Sequence, residues 1–88
     1  MRIYSILWPE EVVVKIIGKH NIIPEEVEQV FSSKPYIRRK GKVLLAYGAS
    51  MAGRYLFVVF TKINLRQIKI VTAREMTNNE RKLYRRKI

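Results

Sequence analysis

Arg74 is the first side chain in this sequence that invites a chemical reading. It ends a strand-like run, "QIKIVTAR", and stands three residues before Thr77, where a helix starts with its own cap. A guanidinium keeps its charge at every physiological pH, and its fork matches phosphate oxygens. A helix N-terminus adds amides and a dipole that attract anions. Arg74 therefore suits a phosphate clamp, although an arginine pairing Glu75 or capping carbonyls has the same sequence. His20 alone has an ordinary pKa near neutrality, which makes it the acid or base candidate. It also directly follows a helical stretch, where a histidine often only caps carbonyls. Lys19 beside it could add charge to the same anion or be a solvated helix-end lysine. Arg54, opening an apolar strand after Gly53, is a second possible cation. Tyr84 is four residues after Glu80 and shares its helix face, to stack a base, meet a phosphate or simply pack.

A wider set of basic residues surrounds these candidates. Arg38, Arg39, Lys40 and Lys42 form a cationic turn, Lys69 alternates away from Ile68 and Ile70, and Arg81 lies on the last helix. Such residues hold a polyanion backbone without reading sequence; as solvated charge they need no partner. Trp8 reads as a core or helix anchor rather than a base platform.

Composition narrows the classes. The 88 residues carry a formal net charge of +11 and no cysteine, so disulfides, thiolate catalysis and cysteine metal sites are excluded. With a single histidine, no metal is expected, and no P-loop or dinucleotide glycine pattern points to a cofactor. No apolar run approaches the roughly 18–20 residues that span a bilayer, and no signal peptide is recognisable. The expected setting is the cytoplasm, away from membranes. Charge is unevenly placed: residues 1–33 hold three cations against five glutamates, net −2, and residues 34–88 hold 15 against two, net +13. A basic portion rich in tyrosine and β-branched residues suggests nucleic acid, with solubility charge or an acidic protein as competing explanations.

The elements that must position these residues fit one domain, 1–88, of α+β class. "RIYSILW" reads as a short strand, followed by Pro9 at the first helical position and a helix with Val12, Val13, Ile16 and Ile17 on one face. Ile23-Pro24 opens a second short helix. "PYIRRKGKVLLAYG" gives an extended segment, a basic turn at Arg39-Lys40-Gly41 and a strand. "RYLFVVFTKI" is apolar on both faces and so central in its sheet. "QIKIVTAR" is expected to alternate, with Ile68, Ile70 and Thr72 opposite Lys69, Val71 and Ala73. Short connections imply an antiparallel meander of about four strands. Thr77-Asn78-Asn79-Glu80 is a capping box opening a polar helix with little apolar surface beyond Leu83 and Tyr84.

Three blocks carry a family resemblance. They are "W-x-E" with "KHNI" (Trp8, Glu10, Lys19, His20, Ile22), "GRYLFVVFT" (53–61) and "IKIVTAREMTNNERKLY" (68–84), in order and over most of the chain. Together they resemble the BrnT-type toxins of type II toxin–antitoxin systems, small ribonucleases of RelE-like fold. The resemblance implies N-terminal helices packed on an antiparallel sheet closed by a C-terminal helix. It implies metal-independent RNA cleavage with RNA as substrate, and a cognate antitoxin, a small DNA-binding protein expected to be dimeric. By its motif it places Arg74 in the catalytic set, with His20, Lys19, Arg54 and Tyr84 beside it. Members usually carry an acidic residue after the tryptophan and a lysine at the fourth position beyond it, where this chain has Pro9 and Val12. A second class follows from that difference: a catalytically inactive homologue acting as a nucleic-acid-binding or protein-interaction domain.

Overall fold

The computed structural model describes residues 5–88. Chain order is β1 (Ser5–Leu7), α1 (Glu10–His20), α2 (Pro24–Ser32), β2 (Tyr36–Lys40), β3 (Val43–Ala49), β4 (Tyr55–Lys62), β5 (Gln67–Glu75) and α3 (Asn78–Lys87). Part of the expected first strand, residues 2–4, lies outside the described residues. Pro9 precedes α1 in an extended conformation rather than occupying its first turn, a one-residue difference. The acidic start at Glu10 and Glu11 favours the dipole, and Asn21 ends the helix at φ 54°, in the left-handed region.

Among the described residues five strands form one sheet in the order β1-β5-β4-β3-β2, so β4 is central, as its two apolar faces require. The last four strands form the antiparallel meander that short connections dictate. The expectation of about four antiparallel strands is corrected by β1, which pairs parallel to β5 through Ile6 opposite Ile68. The sheet is therefore mixed. A parallel pair needs a long crossover, and α1, α2 and the meander supply it.

One face carries the main core. Val12 and Ile16 of α1, Ile22, and Val27 and Val30 of α2 pack on Ala46, Leu56, Val58, Phe60, Ile68, Ile70 and Ala73. α1 contributes a narrower stripe than its sequence suggests: Val13 is half-buried and Ile17 is 46% exposed. Gly48 allows α2 to lie close to β3, since a Cβ there would come within 2.8 Å of Val30 Cγ1. The opposite face has a smaller cluster of Leu45, Tyr47, Phe57, Met76 and Tyr84, with Tyr36, Val43, Tyr55, Val59 and Leu83 against it. α3 covers only part of this face, through the two apolar residues its sequence offers.

The expected alternation of β5 fails at one position. The pairing shifts between Val59 opposite Thr72 and Phe60 opposite Ile70, leaving Val71 as the extra residue of a β-bulge. Beyond it the faces exchange. Ala73, not Thr72, joins Ile68 and Ile70 in the main core, while Thr72 and Arg74 turn to the α3 side.

Candidate nucleic-acid interface

Cross-strand partners share a face, so the register defines what surrounds Arg74. Tyr36, Tyr47, Phe57 and Arg74 form one row across β2 to β5. Their rings touch in sequence, at 5.7 Å between the Tyr36 and Tyr47 centroids and 5.2 Å between Tyr47 and Phe57. The row ends with the Arg74 guanidinium 4.3 Å above the Phe57 ring. Next comes Arg38, Leu45, Val59 and Thr72, and beyond it Lys40 beside Val43 and Thr61 beside Lys69 and Leu7. Exposure rises with distance from α3, from buried Tyr47 and Phe57 to exposed Arg38, Lys40 and Lys69. The uncovered part of this face is apolar along its middle and cationic at its sides.

Arg74 is held on three sides. Nη1 and Nη2 donate to the two carboxylate oxygens of Glu80 at 2.7 and 2.8 Å, and Nη1 also donates to the Glu75 carbonyl at 3.1 Å. The capping box binds the same carboxylate: the Thr77 amide donates to Glu80 Oε1 at 2.8 Å, and the Glu80 amide donates to Thr77 Oγ1 at 3.2 Å. One glutamate therefore caps α3 and fixes the arginine at the end of β5. The hydrogen bond from Arg74 is the main cause holding the Glu80 carboxyl below the usual carboxylate range, with burial opposing it and the Thr77 amide assisting. The same bond raises the Arg74 guanidinium above its ordinary value. About a third of the Arg74 side chain is open to solvent.

α3 lays further cations over this corner. The Arg81 guanidinium lies 5.2 Å and that of Arg85 5.8 Å from the Tyr55 ring, and Lys87 Nζ lies 5.8 Å from the Tyr36 ring. Tyr84 is buried edge-on to Tyr55 at 6.0 Å, which matches the packing alternative for that residue.

Most of the remaining candidates lie on the other side of the sheet. Arg54 Nη1 donates to Glu26 of α2 and to the Asn21 carbonyl, each at 2.8 Å, and Nη2 reaches Glu75 at 3.5 Å. Arg54 and Arg74 thus share one end of the sheet but occupy opposite faces. Lys19 and His20 close α1, next to the carbonyl that Arg54 grips. Among the described residues no hydrogen bond or ion pair joins His20 to either arginine. Arg39 points with Leu44 toward the helix side, and Lys42 sits in the turn after Gly41. Trp8 packs at the edge of the main core, with Nε1 3.4 Å from Glu28 Oε2.

Sequence reasoning missed three partners: Glu80 as the counterion of Arg74, Phe57 beneath it, and Glu26 on Arg54. Only the first had a local signal, because the capping box already placed a carboxylate six residues after Arg74. Among the described residues no group of three or more His, Asp or Glu side chains could hold a metal ion. No helix there is long and apolar enough to cross a membrane.

A family profile described as "Ribonuclease toxin, BrnT, of type II toxin-antitoxin system" matches residues 8–80. The chain belongs to the BrnT family. Its members are ribonuclease toxins of type II toxin–antitoxin systems, which by definition act on RNA and have a cognate antitoxin. No curated protein matches the chain. Among solved structures, the Brucella abortus ribonuclease toxin BrnT superposes with a TM-score of 0.67 at 21% identity, covering 84% of this chain and 97% of that one. The three-helix, five-strand architecture of the described residues is thus a BrnT fold.

Proposed function

We propose that this BrnT-family chain cuts RNA without a metal ion on the sheet face beside α3, with Arg74 as the cation that meets the scissile phosphate. The carrying observation is the fixed guanidinium, stacked on Phe57 and forked by Glu80 at 2.7 and 2.8 Å. Cleavage by the neighbouring ribose needs a base for the 2′-OH proton, an acid for the departing 5′-oxygen and cations around the phosphorane. A guanidinium already oriented contributes the last at little reorganisation cost. Arg38, Lys40, Lys69, Arg81 and Arg85 hold the flanking backbone. His20 and Lys19, across the sheet end, serve an RNA that wraps the rim past Arg54. In this reading the fold groups with the RelE-like toxins, and the setting is the cytoplasm. The antitoxin is a small dimeric DNA-binding protein whose acidic surface covers the basic face.

One observation favours a second reading. Glu80 occupies the same guanidinium edge that a phosphate would use, which also suits an arginine that only ties α3 to β5. Val12, where relatives carry lysine, is buried in the core and Pro9 leads into α1, so neither offers a functional group. A non-catalytic binding domain would keep all these contacts.

Paired variants separate the readings. Arg74→Ala and Glu80→Ala break the same ion pair, so a purely structural tie predicts parallel losses. A phosphate contact predicts that Arg74→Ala lowers RNA cleavage about a hundredfold or more, while Glu80→Ala of similar stability retains far more. Growth and RNA integrity after induced expression give the cellular readout, and parallel losses would assign Arg74 to structure.

A further inference from the structure

The strand β2 is a sheet edge with a particular chemistry. Among the described residues, main-chain hydrogen bonds reach it only from β3, so alternate amides and carbonyls point outward. Its two sides differ. Tyr36, Arg38 and Lys40 lie on the α3 side, the last two exposed, whereas Ile37 faces the helix side and packs against the main core. Beside Ile37 is a pocket of about 350 Å³ between the end of α2 and the strand, lined by Phe31, Ser32, Lys34, Pro35 and Ile37.

An open edge invites a further strand, and natural proteins guard such edges with charge. Here Arg38, Arg39 and Lys40 disfavour pairing with a second copy, because antiparallel pairing about Arg38 would set that residue against itself. The same charges favour an acidic strand. Main-chain bonds supply affinity in strand addition, and pockets for alternate side chains supply specificity.

We infer that β2 is the docking edge for an extended acidic segment of the antitoxin, which adds as a sixth strand. Its carboxylates alternate toward Arg38 and Lys40, and its apolar residues face Ile37 and the adjoining pocket. The inference rests on membership of the toxin–antitoxin family and not on which residues cut RNA. A free main-chain edge distinguishes this occupant from RNA, whose backbone cannot continue a β-ladder.

The probe is an eight-residue peptide alternating valine and glutamate, titrated into the folded protein while amide exchange is followed by NMR. Binding should slow exchange at residues within 36–40. Two N-methylated versions, one blocked at the valines and one at the glutamates, should differ by at least about tenfold in affinity, since alternate amides face the edge. Arg38→Glu, at an exposed position, should weaken the parent peptide by about tenfold or more. Equal affinity of both methylated versions would reduce the effect to charge alone and overturn the proposal. So would protection of the same amides by a twelve-nucleotide single-stranded RNA with none by the peptide. Neither readout depends on catalysis, so failure here leaves the cleavage reading standing.

Discussion

Arg74 and Glu80 fix one another's charge, and that has a pH consequence. The folded Glu80 carboxyl is held below its ordinary value chiefly by the Arg74 hydrogen bond. A depressed carboxyl contributes stability that is complete above the unfolded value of about 4.3 and is lost as pH falls through the lower folded value. Glu80→Gln should therefore cost about 1–2 kcal/mol at neutral pH, from the ion pair and part of the cap. The difference between the two unfolding free energies should shrink as pH falls below the ordinary carboxylate range. Denaturant titrations in steps from pH 7 into acid test this, and a difference that stays constant would exclude the linkage.

At the scale of elements, the bulge at Val71 decides which face receives Arg74. A one-residue change of register moves every following side chain to the opposite face. Were Val71 paired in a regular ladder, Thr72 and Arg74 would enter the core beneath α1 and α2 and Ala73 would leave it. Deleting Val71 removes the extra residue itself, so Thr72 and Arg74 should keep the α3 side, Ala73 should keep the core, and the loss should stay within about 2 kcal/mol. Thermal denaturation measures it, and a variant that no longer folds would show that β5 cannot pair regularly at this point. Gly48 makes the corresponding statement for α2. Gly48→Ala places a methyl against Val30 and Pro35 and should cost about 1–3 kcal/mol by overpacking, measurable by chemical denaturation.

For the whole molecule the governing quantity is charge and its placement. The N-terminal third has net charge −2, and the remainder +13. α1 and α2 lie on one face of the sheet, while Arg38, Lys40, Lys69 and Arg74 point to the other, beside the basic α3. The fold thus converts a gradient along the chain into a difference between two sides. RNA held by about five phosphate contacts there should lose about a hundredfold in affinity between 50 and 200 mM salt. Fluorescence anisotropy with a labelled single strand measures the slope, and a flat dependence would remove the polyanion reading of this face.

Much of this was legible in the residues themselves. The Thr77–Glu80 capping box, the central position of "YLFVVFT", the meander and the small apolar contribution of α3 all follow from short-range rules of period, cap and turn. Local chemistry also marked Arg74 as an arginine between a strand end and a helix N-terminus. What the sequence left open depends on contacts between distant segments. Nothing local makes Val71 a bulge, since "QIKIVTAR" alternates as well without one; the pairing of β4 with β5 settles it. Nothing local joins Ser5–Leu7 to β5 in parallel, or puts Glu26 on Arg54 across 28 residues. Local free energies of order 1 kcal/mol set where elements begin and end. Only tertiary packing chose the sheet face for each charge, separating Arg54 from Arg74 and turning Arg74 toward α3.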